Sequence, residues 1–188
     1  AATERIKVPE SKREYLTIDE IKVLIDTECP REDVKRAYLF ACYCGLRLSD
    51  VYALRWKDIV QDGEQYRMST VMQKTTTPIY LPLSRHAVRW LPERNGAEDG
   101  LHVFAGLPAE PNINKVLAKW MATAGINKKI TYHTSRHTFA TMMLTLGADL
   151  YTVSKLLGHT SVKMTQVYAK IVNKKKDDAV NLTNGLFD

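Results

Sequence analysis

The sequence predicts an α+β domain, mainly α-helical, with a small three-stranded antiparallel sheet at one edge. Three observations carry that expectation. Most of the chain places apolar residues at the three- and four-residue spacing of helices that bury one face. Between about residues 57 and 81 the period drops to two, and Asp62-Gly63 and the stretch 75–78 supply turns between short strands. Finally, 188 residues with 45% apolar and 26% charged side chains are enough for one compact core.

Taken in order, residues 1–14 are polar, charged and aperiodic and read as a linker or arm. Thr17 with Glu20 three positions on forms a capping box for a helix over about 18–27. A second helix, about 31–44, is apolar on nearly every face from Ala37 onward, which predicts the central buried helix, and Gly45 ends it. Ser49 is expected to cap a short helix through Leu54. Strands are expected near 57–60, over 65–73 and from Ile79. Helical patterns follow over about 84–91, 112–124, 134–146, 150–157, 161–169 and 173–182, with Gly147 and Gly158 in the connections. The expected organisation is a domain over 15–172 and a tail over 173–188.

Composition narrows the function classes. The formal net charge is +6, and the first hundred residues hold 16 basic and 16 acidic side chains, so the excess lies after residue 100. A basic surface suits a polyanion such as DNA, because neutralising phosphates releases condensed counterions. The longest apolar run, residues 37–46, is too short to cross a bilayer, and no signal peptide opens the chain, so no membrane partner is expected. Cys29, Cys42 and Cys44 lack the paired spacing of a zinc site; Cys42 and Cys44 read as buried free thiols in a reducing cytoplasm. The first residue is Ala rather than Met, as expected of a fragment or processed product.

Several residues could carry chemistry, though each alone has an ordinary structural explanation. Arg47 follows the Gly45-Leu46 break, where a buried guanidinium asks for an anion. Asp50 suits the first turn of a helix, and Lys74 suits an exposed turn. His133 and Arg136 lie three apart at a helix start, which favours anions. His133 and His137 are four apart, but the Glu of a zinc-protease helix is missing between them, and His137 reads as a satisfied structural histidine. His159 follows Gly158 at a helix junction, and Tyr168 would dock its ring on the core. Together they are what metal-free phosphodiester transfer requires. A phenol with a pKa of about 10 needs a base or a strongly positive site. The phosphorane's oxygens suit forked arginines, and the leaving hydroxyl needs a proton from Lys or His.

The strings GLRLSD (45–50), HTSRH (133–137) and LLGH (156–159), with Lys74 on a hairpin and Tyr168 nine residues after His159, resemble the tyrosine recombinase, or phage integrase, family in order and spacing. The resemblance covers about residues 15–168 and implies that family's catalytic-domain fold. It implies that Arg47 and Arg136 clamp the scissile phosphate and that Lys74 protonates the 5′ oxygen. It further implies that His133 assists proton transfer at the nucleophile and that His159 donates a hydrogen bond to a phosphate oxygen. Tyr168 would form a 3′-phosphotyrosyl link. Asp50 stands where the family often has Glu and would orient the catalytic side chains; Ser135 stands where Leu is common. No cofactor or metal is implied. The partners implied are double-stranded DNA and further copies in a synaptic tetramer, with the tail packing on a neighbouring protomer. Full members also carry an N-terminal helical domain, which is not part of this sequence. The rival expectations are a type IB topoisomerase and a DNA-binding regulator that has lost its chemistry.

Overall fold

The computed structural model describes residues 13–184 and residue 186; residues 1–12 of the arm expected over 1–14, and the apolar Phe187, lie outside the described residues. The helices are α1 (Ile18–Asp26), α2 (Glu32–Cys44), α3 (Leu48–Ala53), α4 (Arg85–Arg89), α5 (Glu110–Thr123), α6 (Thr134–Thr145), α7 (Leu150–Leu156) and α8 (Lys163–Asn181). Strands β1 (Ile59–Asp62), β2 (Gln65–Val71) and β3 (Pro78–Leu83) form an antiparallel sheet in the order β1-β2-β3.

The capping box forms as expected. The Glu20 amide donates to the Thr17 hydroxyl at 3.2 Å and the Thr17 amide to the Glu20 carboxylate at 2.8 Å, a cap whose loss costs about 1 kcal/mol. Lys128 also reaches that carboxylate, at 2.6 Å, tying α1 to the loop after α5. Helix α2 is the central helix, buried from Ala37 to Cys42 and packed on α4, α5 and α6. Its buried thiols are pushed up by desolvation, that of Cys44 to about 12, so they stay protonated. The sheet lays one face on this core: Ile79, Leu81 and Leu83 point inward while Tyr80 and Pro82 are exposed.

Three local expectations are corrected. Arg47, not Ser49, is the N-cap of α3, because the Asp50 carboxylate supplies the capping acceptor to the Arg47 amide at 3.3 Å. The first strand starts two residues late, since Trp56–Asp58 forms a single 3-10 turn, with the Asp58 carboxylate accepting from the Arg55 amide at 2.9 Å. The two helices expected over 161–169 and 173–182 are one continuous helix, α8, so Tyr168 lies within a helix rather than at its end. Nothing between 169 and 173 breaks it, because that stretch holds neither Gly nor Pro.

Two glycines let the site close. Gly45 (φ +75) ends α2 in the left-handed region, and a Cβ there would stand 2.6 Å from the Phe139 ring. Gly158 (φ +61) turns the chain after α7, and its Cβ would meet the Met72 sulfur at 2.5 Å. A side chain at either position is both strained and obstructed.

Candidate active site

Arg136 organises the centre. It lies on the first turn of α6, is 3% exposed, and donates from its two terminal nitrogens to the carbonyls of Gly45 at 2.7 Å and Leu157 at 2.6 Å. Those carbonyls sit at the C-terminal ends of α2 and α7, where helices leave acceptors unpaired. One side chain thus fixes both turns, from which Arg47 and His159 emerge. Burial pulls the Arg136 pKa down to about 10 and Arg47 pulls the same way, against Tyr168, Asp50 and Cys44; the group stays charged at neutral pH. Its hydrogen-bond partners are neutral carbonyls, so an anion in the site would satisfy its charge.

Arg47 is half-buried, with a guanidinium nitrogen 3.7 Å from the Met72 sulfur. Asp50, 2% exposed, accepts from the Arg47 amide and, through its other oxygen, from the Gln73 amide at 2.8 Å. It therefore braces two backbone segments, the Arg47 turn and the base of the β2–β3 turn. Lys74 stands exposed on that turn. Across the site, the His159 Nδ1 lies 2.7 Å from the hydroxyl of Thr165, a fully buried residue of α8. With that hydroxyl donating, the imidazole proton sits on Nε2 and is available to an acceptor. Desolvation first, then Arg136, Arg47 and Arg13, holds the His159 pKa near 4.

Tyr168 is 3% exposed, and its hydroxyl lies 2.7 Å from Nδ1 of His137. His137 in turn meets His133 edge to face, with ring centroids 4.7 Å apart at 90°. Burial raises the Tyr168 pKa, while Arg13, Arg136 and Arg47 draw it back. Arg13 belongs to the segment expected to be a linker, yet its guanidinium lies over the Tyr168 ring, 5.9 Å from the centroid. The Leu16 amide anchors this segment on α6 by donating to the Thr138 hydroxyl at 2.9 Å. Hence Arg47, Arg136, His159 and Tyr168 share one electrostatic environment, with His133 at its exposed rim and Lys74 on the turn nearby. Sequence reasoning did not find Arg13 or Thr165, and it gave His137 only a structural place. Among the described residues, no group of three or more His, Cys, Asp or Glu could hold a metal ion.

A model of the family described as phage integrase matches residues 14–175. The chain belongs to the phage integrase family. Within it, this integrase-family chain is 33% identical over 178 residues to tyrosine recombinase XerC of Escherichia coli O127:H6 (strain E2348/69 / EPEC), covering 88% of this chain and 58% of that protein. The chain thus spans about 58% of the length of the curated relatives it matches. The fold is similar to that of XerH site-specific recombinase bound to palindromic difH substrate in a post-cleavage complex. There the TM-score is 0.71 at 18% identity, over 92% of this chain and 54% of that one. It is also similar to a lambda integrase (75–356) dimer bound to a COC′ core site, with TM-score 0.68 at 20% identity, over 88% of this chain and 62% of that one. The expected tyrosine-recombinase catalytic-domain fold is the one observed.

The histidines of this integrase-family site make its stability depend on pH. His137 and His159 are both held near 4, desolvation being the first cause for each, against an ordinary value of 6.5. Unfolded, they gain protons as pH falls through 6.5; folded, they do so only near 4. Their contribution to stability is therefore complete above 6.5 and is lost progressively as pH falls toward 4. Allowing for solvent at half-buried His137, the two together are worth on the order of 2 kcal/mol. Urea titrations at pH 7 and pH 5 check this: the midpoint should fall in the wild-type chain and fall less in the His137→Asn variant. Equal drops in the two would remove His137 from the effect.

Proposed function

We propose that the chain performs the strand-transfer chemistry of a site-specific DNA recombinase, cleaving and rejoining one strand at a time through a 3′-phosphotyrosyl bond at Tyr168. The observation that carries this reading is the buried Arg136 guanidinium, bonded to two neutral carbonyls at the point where the Arg47 turn, the His159 turn and Tyr168 converge. In this reading Arg47 and Arg136 grip the non-bridging oxygens of the scissile phosphate, whose charge grows in the phosphorane. His159 donates from Nε2 to one of these oxygens, and His133 assists proton transfer at the nucleophile. Asp50 keeps the two arginine-bearing and lysine-bearing segments in register. The phosphotyrosine retains the energy of the broken bond, so the cycle needs neither a nucleotide nor a metal. Double-stranded DNA is the substrate, in keeping with the basic excess after residue 100. The test is to incubate the protein with nicked duplexes from its genomic neighbourhood, whose cleaved strand cannot be rejoined, and to look for denaturant-resistant protein–DNA adducts. Adducts on particular sites support the reading; their absence from every duplex refutes it.

Lys74 is the proposed general acid for the 5′ oxygen, since its exposed turn can reach substrate without rebuilding the core. Lys74→Ala is expected to slow cleavage by about 100-fold, and a 5′-thiolate leaving group, which needs no proton, should restore most of the rate. An equal defect on the thio-substrate would make Lys74 a phosphate contact instead.

Recombination also requires protomers to act together, and we assign the tail to that task, in a synaptic tetramer. Lys175 rests over the Tyr15 ring of its own domain at 4.8 Å, but Val180, Leu182 and Leu186 beyond it are exposed. A groove of about 520 Å³ between α1 and the end of α6, lined by Ile21, Ile25, Phe139, Met142, Met143 and Leu146, offers the complementary apolar surface. The proposed occupant is the tail of a neighbouring copy, in a cyclic head-to-tail arrangement. Deleting residues 173–188 should leave binding to a single site intact and impair assembly and recombination on paired sites. Unimpaired assembly and recombination would refute the role.

A further inference from the structure

His137 has no part in the reading so far, yet its Nδ1 lies within hydrogen-bonding reach of the Tyr168 hydroxyl. We infer that His137 takes the phenolic proton from Tyr168 during strand cleavage and returns it during rejoining. This rests on Tyr168 being the nucleophile.

The geometry begins with the packing of α6 on α8. His137 lies on α6 one turn beyond His133, and Tyr168 lies on α8 one turn beyond Thr165. Their contact, Nδ1 to Oη at 2.7 Å, is within the range required of a general base and the proton it removes. With the imidazole proton on Nε2, Nδ1 offers its lone pair to the phenolic hydrogen. Water is a poor alternative acceptor, because Tyr168 is only 3% exposed. The other groups that act on the pair are cations or a second histidine: Arg13 from the N-terminal segment, Arg47 before α3, and His133 and Arg136 from α6. A guanidinium cannot accept a proton. His133 meets the ring of His137 edge-on, so its influence on the phenol passes through His137.

The same cations explain why the proton stays on Tyr168 until DNA arrives. Desolvation, then His133, Arg13 and Arg136, keeps His137 neutral with a pKa near 4, and burial raises the pKa of the phenol. The site is therefore in the correct protonation state but reluctant to transfer. A phosphodiester docked between Arg47 and Arg136 brings a negative charge, offsets those cations and raises the basicity of His137. The transfer then accompanies attack: Oη–H breaks as Oη–P forms, and the proton passes to His137 Nδ1. The P–O5′ bond breaks with its electron pair leaving on the 5′ oxygen, which takes a proton from Lys74. Rejoining runs in reverse, His137 returning its proton to the departing phenolate.

The test uses the nicked duplex on which the unsubstituted protein forms adducts fastest, with four proteins compared for single-turnover adduct formation and for binding of the intact duplex. His137→Leu removes both the hydrogen bond and the base. His137→Asn keeps a polar group where Nδ1 stood and cannot accept the proton. Both are expected to bind the intact duplex normally and to form adducts about 100-fold more slowly. Replacing Tyr168 with 3-fluorotyrosine, a more acidic phenol, should recover much of the rate in the Asn variant. Wild-type rates in His137→Asn, or no gain from 3-fluorotyrosine, would overturn the assignment and leave His137 as a structural contact. Failure of the unsubstituted protein to form adducts would overturn the recombinase reading, and this inference with it.

Discussion

Tyr168→Phe is expected to eliminate covalent protein–DNA adducts while leaving affinity for intact duplex nearly unchanged. The variant loses one oxygen atom and nothing else. The ring keeps its place on α8, packed beside Phe139, Val153 and Leu157 in a small cluster between α6, α7 and α8. Arg47 and Arg136 are untouched. The hydrogen bond to His137 disappears, which costs about 1 kcal/mol of stability and leaves the fold intact. With no other nucleophile at that position, the loss of cleavage is complete rather than partial. Adducts formed by the Phe variant, detected as denaturant-resistant species on a nicked duplex, would move the nucleophile elsewhere.

The second large effect separates two arginines that look equivalent in sequence. Arg47→Lys and Arg136→Lys should each slow cleavage by on the order of 100- to 1,000-fold, because a point charge cannot fork across the oxygens of a phosphorane. Their stabilities should differ. Among the described residues the Arg47 guanidinium makes one weak hydrogen-bonding contact, to the Met72 sulfur, so its replacement is expected to leave the urea midpoint unchanged. The Arg136 guanidinium holds the carbonyls of Gly45 and Leu157 together, and a lysine cannot serve both with the same geometry. Arg136→Lys is therefore expected to lower stability by about 1–3 kcal/mol as well. A near-normal cleavage rate in either variant removes that residue from the site, and equal midpoints would refute the bridging role of Arg136.

The parts of this molecule that could be read from sequence are those written in short-range patterns. The Thr17–Glu20 cap, the Gly45 stop, the Asp62-Gly63 turn and the alternation of Ile79, Leu81 and Leu83 each follow from neighbours within a few positions. The candidate residues were legible for a different reason: their order and spacing match a family, although each alone looked ordinary. What escaped was tertiary. Thr165 gives no signal until α8 is laid beside the turn at Gly158. Arg13 sits in a segment without periodicity and reaches Tyr168 only because Leu16 is pinned to α6. His137 was expected to be satisfied structurally, and its partner 31 positions away could not be named. The continuity of α8 was missed across 170–172, a stretch with neither Gly nor Pro where Val172 is buried, and packing rather than a short-range signal shows that the helix runs on.

That continuity has a mechanical meaning. Helix α8 runs from Lys163 to Asn181, and its last buried residue is Val172. The helix is stiff and rises about 1.5 Å per residue, so about 13 Å of it projects past Val172 while Tyr168 sits about 6 Å behind. Were the helix to pivot at Val172, the two lengths would make a lever about it. A tilt of about 10° swings the far tip by a little over 2 Å and displaces the phenol by about 1 Å in the opposite direction. An error of that size can change a chemical rate by about 100-fold. Force applied to the exposed end of this helix would thus be geared down, by roughly half, into a displacement of the size that, with Tyr168 as the proposed nucleophile, decides whether the phenol is aligned for attack.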